Sequence, residues 1–330
     1  MADTNPAIEK LSPTRTRCTL IIPDTERSAL EHRALERIAK TSNVKGFRAG
    51  HTPLEIIKEQ IKPETLTEHM IHAFLQEHLP KLLKEQKLVP IIHPKVELTS
   101  HTPITLSITI VEKPIVKFRK KDALRIVKKD IQITDVEIIK TLDTLKKEHA
   151  IAEWTDTAVQ KQFGVPSLIE LRTSITSALK HRKEQTERRQ REKAFFEQVP
   201  KIIDVDLAPE LLEDEERQML SSLNENLRTK NLSFEDWLKR TGKSEEAFRT
   251  DMRKGAEHRL RLRFGIDALL AEHTITVSEE EITKDTEEFL RSLPPSERDR
   301  LAPLYAPGGE GRKRLHWQRR MQKLLAVFLE

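Results

Sequence analysis

The sequence predicts an α+β N-terminal domain followed by a mostly α-helical C-terminal domain. Three observations carry this. Segments 17–22 and 104–111 alternate polar and apolar residues, as half-buried strands do. From Thr155 onward, apolar residues recur almost everywhere at helical spacing. Hydrophobic residues make up 37% and charged residues 34% of 330, with only 9 Gly and one Tyr, a balance that fits long exposed helices better than one compact globule.

The elements follow in order. The strand at 17–22 leads into Asp24-Thr25 and a helix through about Ile38, with Leu30, Leu35 and Ile38 on one face. Pro53 is placed to start a helix carrying Leu54, Ile57 and Ile61, since its fixed φ suits the first helical turn. A longer helix spans 64–86 with Leu66, Met70, Phe74, Leu75, Leu79 and Leu82 as its stripe, and Pro80 is expected to kink or divide it. Segments 95–98 and 104–111 read as strands, the second with Ile104, Leu106, Ile108 and Ile110 on one face. This α+β unit is assigned to 1–113. A connector at 114–154 holds extended pieces at 114–116 and 124–127, then a helix capped at Thr134-Asp135 with Val136, Ile139, Leu142 and Leu145. Helices are expected at 155–162, 167–198, 209–230, 234–240, 244–273, 278–293 and 311–329, making 155–330 the helical domain. Ser233 with Asp236 and Ser278 with Glu281 are start signals.

Composition bounds the function. A formal net charge of +5 is too small for a dedicated nucleic-acid coat, but leaves room for local basic patches. The single Cys18 excludes an intrachain disulfide and a Cys-rich zinc site, and fits a reducing compartment. No signal-type apolar core or long apolar run is present, so a cytoplasmic protein without a membrane partner is expected.

The most informative motif is Gly46-Phe47-Arg48-Ala49-Gly50-His51-Thr52-Pro53. Two glycines frame an apolar ring and a guanidinium, permitting a tight tip. Lys40, Lys45, Arg48 and Lys58 face only Glu55 across 39–58. Such a tip suits docking: Phe47 buries in a partner while Arg48 grips a carboxylate or phosphate. An ordinary turn with Phe47 in its own core is the competing reading.

With Val44 and Lys45, this segment resembles the ribosome-docking loop of trigger factor, the bacterial chaperone at the polypeptide exit. The family pattern Gly-Phe-Arg-x-Gly-x-x-Pro is met at every fixed position, with His51 where the family usually has Lys. His is mostly neutral at pH 7, so one charge is lost. The resemblance extends along nearly the whole chain, through 141–145, Phe163-Gly164-Val165, Ile203-Asp204-Val205 with Pro209, and Leu232-Ser233-Phe234-Glu235-Asp236-Trp237-Leu238. It implies a multi-armed chaperone domain, ribosome binding through Lys45, Gly46, Phe47, Arg48, Ala49, Gly50 and His51, and as partners the large ribosomal subunit near the exit tunnel, protein and RNA, together with unfolded nascent chains. It leaves a homodimer open. The family usually carries a prolyl isomerase domain of FKBP type, of roughly a hundred residues. Between Leu145 and Phe163 there is no room for it, so no isomerase activity is expected.

Met219, Leu220, Leu223, Leu227, Phe234, Trp237, Leu238 and Phe248 lie on helices resembling the chaperone's arms, and are the candidate client contacts. A helical stripe of this kind is more often core; the alternative is an exposed patch that re-packs around varied clients. Other motifs point to no chemistry. Thr241-Gly242-Lys243-Ser244 lacks the P-loop's earlier glycine, which is Trp237 here. The glycines of 306–311 follow no strand. His69 and His72 have no third ligand in the sequence pattern. No nucleophile–base set emerges, and no catalytic residue, metal or cofactor is expected. The seven Lys/Arg of 180–193, against Glu184, Glu187 and Glu192, read as a solvated helix face, with contact to ribosomal RNA as the alternative. The same holds for Arg312-Lys313-Arg314 with Arg319-Arg320. A basic RNA-binding or ribosome-assembly factor is the rival function.

Overall fold

Strands β1 (Ala7–Ser12) and β2 (Arg15–Ile21) open the chain as a hairpin in the computed structural model, which describes residues 6–41, 47, 52–120 and 124–329. With β3 (Lys95–His101) and β4 (Ile104–Val111) they form an antiparallel sheet of order β1-β2-β4-β3. The register sets Cys18 opposite Ile108 and Leu20 opposite Leu106, while Val96 and Leu98 face the same two β4 residues from the other side. Both outer strands are irregular: pairing shifts between Lys10 and Ser12 in β1 and between Leu98 and Ser100 in β3. Strand β1 lacks an apolar alternation, which is why the sequence pattern does not reveal it.

One face of the sheet is covered by helices. Helix α1 (Asp24–Thr41) packs against α2 (Leu54–Gln60) and α3 (Pro63–Glu85). Ile104, Leu106, Ile108 and Ile110 are buried, as their alternation predicts, together with Cys18, Leu30, Met70 and Phe74. Each of these Ile, Leu, Met and Phe side chains contributes about 1.5–3 kcal/mol of hydrophobic stabilisation. Pro80 does not divide α3. Pro80 and Gln76, four residues earlier, are both exposed, on the solvent side of the helix, where a lost intrahelical bond costs least.

Beyond β4, β5 (Val116–Phe118) pairs with β6 (Ile203–Val205). Between them run α4 (Asp135–Glu148), α5 (Asp156–Phe163) and the 35-residue α6 (Leu168–Ile202). Thr134 and Glu137 complete a reciprocal cap at the start of α4. The inward face of α4 is not the one expected. Val136 and Ile139 are exposed; Ile138 and Leu142 are buried against Val159, Leu171 and Ile175. The stripe holds at Leu142 and Leu145 but begins at Ile138, one turn earlier on the same face. Segment 124–127 is irregular rather than a strand, although Leu124 is fully buried.

The remaining helices are α7 (Pro209–Thr229), α8 (Phe234–Thr241), α9 (Glu245–Glu272), α10 (Glu279–Arg291), α11 (Pro295–Leu301) and α12 (Glu310–Leu329), with a 3-10 turn at Ala302–Tyr305. The chain divides into two compact units. The first holds Met1–Ile115 and Val205–Leu260, the second Val116–Asp204 and Arg261–Glu330. In the second, Phe195, Val199, Phe264, Leu269, Ile282 and Leu324 are buried. Among the described residues no helix is long and apolar enough to cross a membrane.

Candidate functional site

In the first unit, α7, α8 and the start of α9 build an arm. Arg259 pairs with Glu215 at 3.2 Å and Arg253 with Glu216 at 3.2 Å, so the partner numbers fall along α9 as they rise along α7: the two helices are antiparallel. At Gly255 an added Cβ would stand 3.1 Å from Met219 Cε, the tip of a flexible side chain. The arm is joined to the sheet through the first turns of α7. Arg15 Nε donates to Glu210 Oε1 at 3.1 Å, Arg15 Nη2 donates to the same oxygen, and Lys95 Nζ donates to Glu213 Oε2 at 3.3 Å.

The turn-and-helix between α7 and α9 is locally encoded. The Ser233 hydroxyl accepts the Asp236 N–H at 3.1 Å, starting α8. Gly242 ends it with φ +65°, a conformation that favours glycine. Lys243 then pairs with Asp251 at 2.5 Å, so the Thr241-Gly242-Lys243-Ser244 sequence is an inter-helix turn.

Three aromatic rings close the arm. Phe234 lies 5.9 Å from Trp237 and 5.1 Å from Phe248, and Trp237 lies 5.6 Å from Phe248, measured between ring centres. Beside them runs an open groove of about 880 Å³, with Leu220, Phe234, Phe248 and Met252 as its apolar lining. The candidate residues therefore separate. Leu227 and Phe248 are buried, as the core reading has it. Met219, Leu223, Phe234, Trp237 and Leu238 are half-buried, and Leu220 is exposed. Met252 and Asn224 also line the groove, and the sequence reading missed both. Each lies one helical turn beyond a residue that it named, Phe248 and Leu220. The charges of the rim are internally paired, Arg253 with Glu216 and Arg249 with Glu245 at 2.7 Å.

Of the candidate docking loop, Phe47 is described and its side chain is 39% exposed rather than tucked into a core. Lys45, Gly46, Arg48, Ala49, Gly50 and His51 lie outside the described residues. His72 Nδ1 lies 2.7 Å from Arg37 Nη1, and because a guanidinium only donates, this ring nitrogen is the acceptor. Among the described residues no group of three or more His, Cys, Asp or Glu is placed to hold a metal ion.

Fold and groove together define an α+β scaffold bearing a helical arm with an open apolar face. The family model described as bacterial trigger factor protein matches residues 5–145, and that for the trigger factor C-terminus matches 167–329. Residues 146–166 are all that lies between them. A trigger factor of Thermus thermophilus is 23% identical over 339 residues, covering 79% of this chain and 84% of its own length. That of Tolumonas auensis is 27% identical over 153 residues, covering 46% of this chain and 34% of its own. The chain thus spans most of the first relative and about a third of the second. A solved structure of the trigger factor chaperone, described for promiscuous substrate recognition in folding and assembly, matches 98% of each chain with a TM-score of 0.62 at 16% identity, a likeness of fold. The chain belongs to the trigger factor family.

Proposed function

We propose that this protein is an ATP-independent chaperone of the cytoplasm that docks at the ribosomal polypeptide exit and shields emerging chains. The observation that carries this reading is the open groove of the arm, whose aliphatic, aromatic and Met lining suits varied apolar segments. Family membership supports the docking half, as do the spelling of 46–53 and the exposed ring of Phe47. Each client contact is weak, and several contacts on one chain sum to a useful affinity. Release follows when the client buries its own apolar surface. No isomerase activity accompanies it, because 146–166 is too short for a domain of the FKBP type.

Co-sedimentation with ribosomes tests the docking half, comparing the natural protein with Phe47→Ala/Arg48→Ala at fixed salt. Loss of binding with an unchanged circular dichroism spectrum supports it; equal binding by both proteins refutes the loop's role. Suppression of aggregation of an unrelated unfolded protein, without ribosomes, tests the groove. A second reading, assembly of ribosomal proteins, takes support from the assembly activity described for the solved trigger factor chaperone. It predicts capture of a folded ribosomal protein and no protection of the unrelated client.

A further inference from the structure

Helices α1 and α3 cover the middle of the four-stranded sheet, and the strand residues buried in that core come from β2 and β4. On β3, Val96 and Leu98 stand opposite Ile108 and Leu106, so their side chains point to the same helix-bearing face. Yet they remain 36% and 37% exposed. Lys95 and Glu97 alternate to the other face, where Lys95 reaches Glu213 of α7. The helix layer thus ends at α3, and the sheet runs on past it.

This leaves an open groove of about 420 Å³ within the first unit. Its floor is Leu106, its strand wall Val96 and Leu98, and its helix wall Ile71 and Leu75. The other flank of α3 is taken by α1, where Arg33 pairs with Glu77 at 3.1 Å. From Glu64 to Leu75 the helix wall is about 17 Å long, which is room for about three turns of another helix.

Two carboxylates stand on the rim. Glu64 and Glu68 are exposed and one turn apart on α3. Among the described residues neither has an ion-pair partner. Carboxylates at this spacing repel one another, and cations set beside them relieve that repulsion. Of the other titratable lining groups, His72 accepts from Arg37, and His101 is the last residue of β3. The rim of the arm groove differs, because Arg253 with Glu216 and Arg249 with Glu245 neutralise it from within.

An added strand suits this margin poorly, because pairing along β3 breaks between Leu98 and Ser100. An amphipathic helix laid beside α3 suits it well. Its apolar stripe would cover Val96, Leu98, Ile71 and Leu75, and Lys or Arg one turn apart on its flank would meet Glu64 and Glu68.

We propose that the groove between α3 and β3 binds a basic amphipathic helix of a partner protein. The proposal does not rest on the chaperone reading, and it uses neither the arm nor the loop at 46–53.

The test is fluorescence anisotropy at moderate salt, with the purified full-length protein and a labelled Leu/Lys peptide of about four helical turns. The comparison peptides are its isomer with strictly alternating Leu and Lys, which favours a strand, and a Leu/Glu helix. Glu64→Lys/Glu68→Lys is set against Glu59→Lys/Glu85→Lys, which changes the net charge equally at exposed sites of the same unit. Val96→Ser/Leu98→Ser removes the strand wall, and circular dichroism checks every fold. The rim and wall variants are each expected to bind the Leu/Lys helix at least about tenfold more weakly, and the control within about twofold of the natural protein. Both comparison peptides are expected to bind the natural protein at least about tenfold more weakly. Equal losses in the rim variant and the control would reduce the effect to net charge and overturn the proposal. So would no binding of the Leu/Lys helix, equal binding of its alternating isomer, or loss of binding in Leu220→Ser, which would move the peptide to the arm. A natural protein that sediments as a dimer, and as a monomer after Val96→Ser/Leu98→Ser, would give the groove to a second copy and overturn it too. Because neither a ribosome nor an unfolded client is present, the outcome is independent of the function proposed above.

Discussion

Arg15 and Glu210 are 195 residues apart in sequence, yet the guanidinium donates twice to one carboxylate oxygen. Glu210 is 7% exposed, and its other oxygen is buried without a hydrogen-bond partner among the described residues. The pair fixes the first turn of α7 against the sheet. Removing only the cation strands a buried charge, which costs more than the pair itself is worth. Arg15→Ala is therefore expected to lower stability by about 3 kcal/mol in urea unfolding. Arg15→Met/Glu210→Met is expected to recover most of that loss. Equal losses in the single and double variants would count against the stranded-charge account.

The groove and the floor beneath it separate under mutation. Leu220→Ser removes an exposed side chain, so stability is expected to stay within about 0.5 kcal/mol while protection of an aggregating client falls. Phe248→Ala empties a buried site between two other rings and is expected to cost about 3 kcal/mol. Thermal unfolding alongside a light-scattering assay reads both.

Gly265 sits inside α9, where alanine is ordinarily better by about 1 kcal/mol. Here an added Cβ would lie 2.6 Å from Val199 Cγ1, and Val199 is fully buried and stiff. Overpacking of this kind costs about 1–3 kcal/mol, so Gly265→Ala is expected to destabilise. A rise in the urea midpoint would show that α6 yields.

Acid is expected to loosen the cap of α4. The hydrogen bond from Lys183, then the Thr134 N–H, lowers the Glu137 carboxyl from 4.5 to about 2. A depressed carboxylate stabilises the fold fully above its unfolded value, and this contribution is lost as pH falls through the folded one. The loss thus falls between pH 4.5 and about 2. Carboxylate NMR of Glu137 checks this directly, and Glu137→Gln should make melting less dependent on pH in that window.

Cys18 is buried in the sheet core, and burial pushes its thiol above the ordinary value of 9.0. A thiol-specific reagent is expected to leave the native protein unmodified at pH 8 and to react at once in denaturant.

How much of this was legible in advance follows from the range of each interaction. Ile104 to Ile110 and Leu66 to Leu82 announce their elements because strand and helix periods are local, and Ser233 and Gly242 announce α8 for the same reason. Strand β1 is silent because its partner, not its own pattern, makes it a strand. The pairing of Arg15 with Glu210 leaves no local trace at all. In the arm, the family resemblance singled out Phe234, Trp237 and Phe248, but helical spacing does not distinguish a buried Leu227 from an exposed Leu220 on the same helix.

The two irregular outer strands bear on the company that this protein is proposed to keep. A regular sheet edge is a template, and an unfolded chain held nearby is raw material for it. Here β1 presents Glu9 and Lys10 next to its break in pairing, and β3 presents Lys95 and Glu97 ahead of its own. Charge and bulge together discourage a further strand at either margin. Such charges and breaks work against the pull of Ile8, Val96 and Leu98, which the same two strands expose, and make either margin a poorer template for an aggregate.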